Sequence, residues 1–297
     1  MVVNMEKYNF GIAASEMDLK VNFQKAKENK TFCEIISHLD LDEEVLRKYT
    51  TSIQNSAKEF DNCKKCSGLN ECKNSVKGSF LKPYKSGNGI NFAYVNCRFK
   101  EKEKYKDNIE LFDLPARLKD ANFQNVYTDD KERVEVIKKL RKFYDAYLKG
   151  EKIKGIYLYG NFGAGKSYLI AALFNELAKK GVTSVIVHTP ELIRAIKESF
   201  DSDYSERFYL IKNTPLLLLD DIGAEYLTPW SRDEVLEPVL QYRMDQNLPT
   251  FFTSNYNIQA LEKHLTLFDD RVKAKRIIER ILQVSEEVEL VSKNLRN

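Results

Sequence analysis

Long apolar runs are absent from this chain of 297 residues. No stretch of about 18 consecutive apolar residues occurs, and a helix needs about that length to cross a bilayer. The first ten residues, MVVNMEKYNF, also lack the apolar segment of roughly 7–15 residues that secretory signal peptides carry. We therefore expect a soluble, cytoplasmic protein without a membrane partner.

A dominant sign of charge is missing as well. The chain carries 47 Lys and Arg residues against 44 Asp and Glu residues, which gives a net charge of +3. Such a balance neither favours nor excludes nucleic acid as a partner. Internal repeats and low-complexity tracts are also absent, so partners must be inferred from local patterns.

Cysteine is rare, and a disulfide framework is not expected in a cytosolic chain. Four of the five cysteines cluster, namely Cys63, Cys66, Cys72 and Cys97. A C-x2-C pair places two thiolates on one side of a metal ion, and two later sulfurs complete a tetrahedron. No histidine falls between Cys63 and Cys97, so we predict a zinc ion bound by four sulfurs. Ordinary reduced thiols are the alternative, and Cys33 is expected to serve packing.

A basic segment surrounds these cysteines. From residue 64 to residue 106 the chain carries eleven Lys or Arg residues and only three Glu residues. This excess indicates either a basic module or a solvated lysine-rich surface. The spacing of apolar residues predicts an amphipathic helix over residues 42–60, directly before the cysteines.

The segment LYGNFGAGKSYL, residues 158–169, matches the phosphate-binding pattern G-x-x-x-x-G-K-[ST] at every fixed position. An apolar strand-like run precedes it and a helix-like run follows, which is the context that the motif requires; a chance glycine loop is the alternative. Lys166 is expected to bridge the β- and γ-phosphates of ATP, and Ser167 to hold Mg²⁺. The predicted nucleotide-binding residues are Gly160, Asn161, Phe162, Gly163, Ala164, Gly165, Lys166, Ser167 and Tyr168.

Two further strand ends carry polar residues. The run PLLLLDDIGAE ends in Asp220 and Asp221, which reads as a Walker B strand. Asp220 is expected to hold Mg²⁺ through water, and Asp221 to polarise the attacking water. A later run, PTFFTSN, ends in Asn255, which is placed to orient that water. The alternatives are an exposed acidic turn and a simple turn asparagine.

Strand-like and helix-like segments alternate through the second half of the chain. Five strand-like runs occur, GIYLY, SVIVH, PLLLLD, PTFFTS and VSEEVELV. This alternation predicts an α/β fold with a parallel five-stranded sheet between helices. Pro115 and polar turns indicate a junction over residues 107–130. We therefore predict a smaller helical or mixed zinc-binding domain over residues 1–106 and a P-loop ATPase domain over residues 131–297.

Taken together, these motifs resemble those of the AAA+ ATPases, and in particular the bacterial helicase loaders of the DnaC/DnaI group. Walker A, the DDIGAE form of Walker B, TSN and the late RIIERI segment carry the resemblance over about residues 110–297. It implies ATP hydrolysis coupled to loading of the hexameric replicative helicase onto single-stranded DNA at replication initiation. It also implies self-association on the helicase, contact with other primosome proteins, and a helicase-interaction role for residues 1–106.

The same resemblance assigns further residues. Arg280 looks like the arginine finger that reaches a neighbour's nucleotide, with Arg276 as second choice, and Arg296 resembles the sensor-2 arginine. The aromatic and basic segment of residues 199–213 resembles an inserted helix that touches single-stranded DNA. A basic C-terminal helix face and an amphipathic packing helix are the respective alternatives.

Two departures from the family are visible. Asp221 stands where most AAA+ proteins have glutamate, which suggests slower hydrolysis. Some relatives use a histidine among the zinc ligands, and Phe80 cannot take that role here, which makes Cys72 the fourth ligand.

Two other functional classes remain open. An IstB-like transposition-accessory ATPase has the same ATPase core and would act on a transposase–DNA complex, but the cysteine module argues against it. A small-molecule P-loop kinase would need a basic lid over two phosphoryl groups, and it leaves the TSN segment unexplained.

Overall fold

The computed structural model describes residues 16–128, 130–198 and 202–295. The chain divides into two compact units, Met1–Lys104 and Tyr105–Asn297. The first unit combines helices with one β-hairpin, and the second is built around a parallel sheet.

Within residues 16–104, the first unit contains five α-helices and one antiparallel hairpin. Its apolar core joins Phe23, Phe32 and Ile53 of the helices to Ile90 of the hairpin. The helix predicted over residues 42–60 is two helices that meet at Tyr49, where the backbone φ of −109° leaves the helical range. In chain order the elements are α1 (Glu16–Ala26), α2 (Lys30–Leu39), α3 (Glu43–Lys48), α4 (Thr50–Lys64), β1 (Ser79–Ser86), β2 (Gly89–Asn96) and α5 (Arg98–Glu103).

The sheet of the second unit has six parallel strands in the order β3-β5-β6-β7-β4-β8. The parallel sheet is confirmed, but the predicted number of five strands is wrong because Ile109–Phe112 adds an edge strand beside β5. The strands are β3 (Ile109–Phe112), β4 (Gly155–Gly160), β5 (Ser184–His188), β6 (Leu216–Asp220), β7 (Thr250–Ser254) and β8 (Ser285–Leu290).

Helices cover both faces of this sheet. In β6, Leu216 and Leu218 belong to the core on one face, whereas Leu217 and Leu219 belong to the core on the other. Burial on both faces explains why this strand is continuously apolar rather than alternating. The helices are α6 (Lys131–Leu148), α7 (Lys166–Ala178), α8 (Thr189–Glu198), α9 (Ser202–Asn213), α10 (Glu237–Asp245), α11 (Ile258–Leu265) and α12 (Arg271–Val284).

The boundary between the two units lies at residue 104, before the segment predicted as a junction. Residues 107–130 contain β3 and two short 3₁₀ turns, Ala116–Asp120 and Phe123–Asn125. The side-chain amide of Asn175 on α7 donates to the carbonyls of Leu118 and Ala121 at 2.9 and 2.7 Å. This segment is therefore part of the second unit. No helix in the described ranges is long and apolar enough to span a bilayer.

Candidate nucleotide-binding site

Three neighbouring strand ends build the site. Strand β7 lies between β4 and β6, and all three run in the same direction. Their carboxyl ends therefore meet at one edge of the sheet. The phosphate loop follows β4, Asp220 ends β6, and Asn255 follows β7.

The phosphate loop turns on glycines. Gly160 has a φ of 147°, and a Cβ atom there would lie 2.0 Å from the carbonyl oxygen of Leu290 on β8. Only glycine therefore lets the loop leave the sheet at this point. Helix α7 begins at Lys166, so its free N–H groups and the positive end of its dipole face the loop.

Lys166 connects the loop to the end of β7. Its ammonium group donates to the carbonyls of Gly160 and Asn161 and to Oδ1 of Asn255, each at 2.9 Å. The amide nitrogen of Asn255 donates in turn to Asp221 Oδ1 at 3.2 Å. The structure thus brings the residues predicted for phosphate binding and water activation into one hydrogen-bond network.

Asp220 is buried beside Ser167. Its carboxylate accepts hydrogen bonds from the Ser167 hydroxyl and from Thr253 Oγ1, the latter at 2.7 Å. Burial raises the pKa of Asp220, an effect that these two bonds partly offset and the charge of Asp221 reinforces. A divalent cation stabilises a buried carboxylate, so Ser167 and Asp220 suit the predicted Mg²⁺ site chemically.

Thr253 is a functional candidate that the motif reading missed. Besides bonding Asp220, its hydroxyl accepts the backbone N–H of Asp221 at 2.8 Å. Asp221 adopts a left-handed φ of 58°, which costs energy for a residue with a side chain. Thr253 therefore fixes the turn that presents Asp221. Three of the five residues of β7 carry hydroxyls, Thr250, Thr253 and Ser254, so the sequence alone does not single out Thr253.

The other predicted nucleotide-binding residues differ in their surroundings. Ala164 is fully buried, whereas Phe162 is 70% exposed. The Tyr168 hydroxyl accepts the backbone N–H of Asn122 at 3.3 Å.

A cavity of about 300 Å³ opens beside the loop. Phe162, Asn255 and Glu289 are among its lining residues, and none of the described lining residues carries a positive charge. The Lys166 ammonium borders this cavity, because it donates to Gly160, Asn161 and Asn255 of the lining. No second cation lies among the described lining residues.

The predicted finger residues lie on α12 and pair within the chain. Arg280 Nη1 donates to Glu237 Oε1 at 2.6 Å, and Arg276 Nη1 does so at 3.4 Å. Burial opposes ionisation of Glu237, but the two arginines hold its pKa below the usual value. Arg280 is mostly buried and Arg276 about half exposed. Arg296 lies outside the described residues.

The segment predicted to touch DNA forms α9. The Lys212 ammonium lies 4.8 Å from the centre of the Tyr242 ring and 5.8 Å from that of Phe208. These residues and Tyr209, which is 69% exposed, line a groove of about 340 Å³. Phe200 lies outside the described residues.

In the first unit, the four clustered cysteines come from four separate places in the chain. Cys63 lies in the last turn of α4, Cys66 follows that helix, Cys72 follows a short 3₁₀ turn, and Cys97 precedes α5. The pKa of the Cys63 thiol is raised, mainly by burial and also by the nearby Cys97, Cys72 and Cys66. A hydrogen bond from Asn74 partly opposes this increase.

Backbone and side-chain N–H groups point at two of these sulfurs. The Asn74 amide donates to Cys63 Sγ at 3.3 Å, and the Gly78 N–H donates to Cys72 Sγ at 3.4 Å. Such donors favour thiolates and metal ligation. However, no three His, Cys, Asp or Glu side chains in residues 16–128, 130–198 and 202–295 are arranged to hold a metal ion. The zinc site therefore stays a prediction.

The parallel sheet, the phosphate loop at the start of α7 and the acidic end of β6 together define a P-loop ATP-binding protein of the AAA+ class. Comparison with known proteins agrees. The family described as IstB-like ATP binding protein matches residues 98–297. The chain therefore belongs to the IstB-like ATP-binding family, and within it to the group that includes the helicase loader DnaI.

Two curated relatives and one solved structure support this placement. The chain is 37% identical to the replicative helicase loader DnaI of Bacillus subtilis over 266 residues, which covers 86% of each chain. It is 25% identical to the replicative helicase loader DnaC of Escherichia coli strain K12, over 49% of this chain and 59% of that protein. A crystal structure of DnaI is 44% identical, with a TM-score of 0.60, and covers 65% of this chain and 100% of that one.

Proposed function

We propose that this protein is an ATP-dependent loader that places the replicative DNA helicase on single-stranded DNA during initiation of replication. The observation that carries the proposal is the extent of the similarity to DnaI. Residues 105–297 form about two thirds of the chain. A match over 86% of the chain must therefore include a large part of the first unit as well.

In this proposal the second unit binds and hydrolyses ATP. Lys166 holds the phosphates, and Asp221 polarises the attacking water. Asn255 orients the same water, because it is hydrogen-bonded to both Lys166 and Asp221. When bound beside Ser167 and Asp220, Mg²⁺ would neutralise phosphate charge. The role of the ATP cycle would be to time the assembly of helicase and DNA.

The two alternatives explain less of the molecule. An IstB-like transposition-accessory ATPase accounts for the second unit but gives no role to the cysteine-bearing unit. A small-molecule kinase would need its own cation near the transferred phosphoryl group. Apart from the phosphate-loop Lys166, which donates to Asn255, none of the described residues lining the cavity beside Asn255 is cationic.

We assign contacts with partners to separate surfaces. The first unit would bind the hexameric helicase, on which copies of this protein would associate with one another and with other primosome proteins. The groove on α9 would bind single-stranded DNA, because aromatic rings stack on bases and Lys212 can neutralise phosphates. A protein acting on chromosomal DNA is expected in the cytoplasm.

We further propose that Cys63, Cys66, Cys72 and Cys97 bind one structural zinc ion. Purified protein should then contain one zinc per chain, and Cys72→Ser should lose it, with Cys33→Ser as the control. Structural zinc contributes on the order of 10–16 kcal/mol of apparent binding energy in small domains, so removal by a chelator should unfold the first unit. Metal analysis that finds no stoichiometric zinc would refute the assignment.

The functional assignment is tested by co-purification with the replicative helicase of the same organism, with and without ATP. The proposal expects the two proteins to elute as one complex. A transposition-accessory ATPase or a metabolite kinase would elute alone in both conditions.

A further inference from the structure

We propose that Arg133 and the segment after β8, residues 291–295, form a clamp that positions the phosphate loop for nucleotide binding. The inference rests on ATP binding in the proposed function and adds residues that no motif contains. We call Arg133 together with residues 291–295 the clamp.

Arg133 is buried behind the loop. The residue is 2% exposed, and its Nη2 donates to the carbonyl of Ala164 and to the hydroxyl of Ser292, both at 2.7 Å. A Cβ atom at Gly165 would lie 3.4 Å from Arg133 Nη1, so the charged group sits directly against the loop backbone. In the described contacts, the Arg133 guanidinium makes no direct hydrogen bond to a carboxylate. Burial of such a charge costs free energy, which favours a specific role for Arg133.

The segment 291–295 holds the neighbouring part of the loop. The N–H of Leu295 donates to the carbonyl of Gly163 at 2.9 Å. Gly163 has a φ of 71°, and a Cβ atom there would lie 1.8 Å from the side-chain oxygen of Asn294, so any other residue would have to displace that side chain. In the same segment, the Lys293 ammonium lies 3.9 Å from the centre of the Tyr127 ring and donates to the Tyr127 hydroxyl at 2.5 Å.

Ser292 ties the two halves of the clamp together. Its hydroxyl accepts from Arg133 and donates to the carboxylate of Asp130, the residue that caps the start of α6. The bond from Ser292 is the main reason why the pKa of Asp130 lies below its usual value. Helix α6, the segment after β8 and the phosphate loop are thus joined by one chain of hydrogen bonds.

The physical effect follows from peptide geometry. In a planar trans peptide the carbonyl and the following N–H point in opposite directions. Because Arg133 fixes the Ala164 carbonyl on one side, the N–H of Gly165 is turned to the other side. N–H groups of a phosphate loop bind phosphate oxygens only when they are turned into the loop. The clamp therefore preorganises the site, and the positive charge of Arg133 adds a favourable field for phosphate.

The clamp is tested by ATP affinity and thermal unfolding of the full chain. We expect Arg133→Met to raise the Kd for ATP by about 10-fold or more, since it removes two charge-assisted hydrogen bonds. Arg133→Lys should restore part of the affinity, and Ser292→Ala should weaken binding less than Arg133→Met. Arg232→Met is the matched control, because Arg232 is equally buried but donates to the Leu265 carbonyl and to Asp233.

The outcomes separate positioning from packing. If the clamp only packs, Arg133→Met and Arg232→Met lower the Tm alike and both keep the normal Kd for ATP, which overturns the proposal. Should Arg133→Met fail to fold, an unchanged Kd in Ser292→Ala overturns it instead. Because coupling is reciprocal, ADP should also slow hydrogen exchange at the Leu295 amide. Normal ATP binding by Lys166→Ala would count against the ATPase function itself rather than the clamp.

Discussion

Replacing Arg280 with alanine should leave ATP affinity nearly unchanged and remove most of the hydrolysis that helicase and single-stranded DNA stimulate. Apart from Lys166, which donates to Asn255, the described lining of the cavity beside Asn255 has no cationic residue, so we expect a second positive charge to come from a neighbouring copy. An arginine finger from a neighbouring copy is worth about 10³–10⁵ in rate in well-studied phosphoryl-transfer systems, because it neutralises charge in the transition state. ATP turnover with and without both partners measures the loss.

Two further variants make this prediction specific. Arg276→Ala should have the smaller effect, because Arg280 is the first choice for the finger. Mixing Arg280→Ala with Asp221→Asn should partly restore turnover, since one subunit then offers an intact Asp221 to a neighbour's intact Arg280. Full stimulated hydrolysis by Arg280→Ala would place the finger elsewhere. Absence of rescue in the mixture would mean that one chain completes the site alone.

The pairing with Glu237 adds a step to this mechanism. In the structure both arginines are engaged by one carboxylate on α10. As the proposed finger, Arg280 would have to exchange Glu237 for the neighbour's phosphate when the active assembly forms. The thermal stability of Arg280→Ala has to be measured as well, because the mostly buried Glu237 would keep only the longer contact with Arg276.

The second large effect is expected from Lys166→Ala. This change should raise the Kd for ATP by about 100-fold or more, because the ammonium group is the expected partner of the β- and γ-phosphates. It also removes the hydrogen bond to Asn255 that joins the loop to the end of β7. Nucleotide binding by the full chain is the measurement, and Lys179→Ala, on the surface just after α7, is the control.

Helicase binding should survive in Lys166→Ala, since the first unit carries the proposed helicase contact. A variant that keeps normal ATP affinity would contradict the role of Lys166. A variant that loses ATP and helicase together would contradict the assignment of helicase binding to the first unit.

Much of the fold could be predicted because the relevant signals are local. The strands β4 to β7 are largely apolar runs that the sheet buries, β8 combines exposed glutamates with buried residues, and the phosphate loop is a contiguous motif between a strand and a helix. Strand β3 was missed because it has only four residues at the sheet edge, with Glu110 exposed among them. Its pairing with β5 spans more than 70 residues, which no local pattern encodes.

Part of the candidate site could not be predicted from the sequence, because it depends on contacts between residues that are distant in the chain. Arg133 occurs in the charged first turns of α6 and reads as a solvent-facing residue, yet it is buried against Ala164. The contact between Arg280 and Glu237 joins residues 43 positions apart. Tertiary packing decides both, whereas the placement of Asp220 and Asn255 followed from the common direction of parallel strands.

The central claim is that this protein loads the replicative helicase onto single-stranded DNA under the control of ATP. Its most direct test uses closed circular single-stranded DNA, which a helicase ring can enter only by opening. The amount of helicase that stays on the circle after gel filtration is measured with this protein, with its Lys166→Ala variant, and without either. The account predicts ATP-dependent loading with the unchanged protein alone. Equal amounts of bound helicase in all three samples would contradict it.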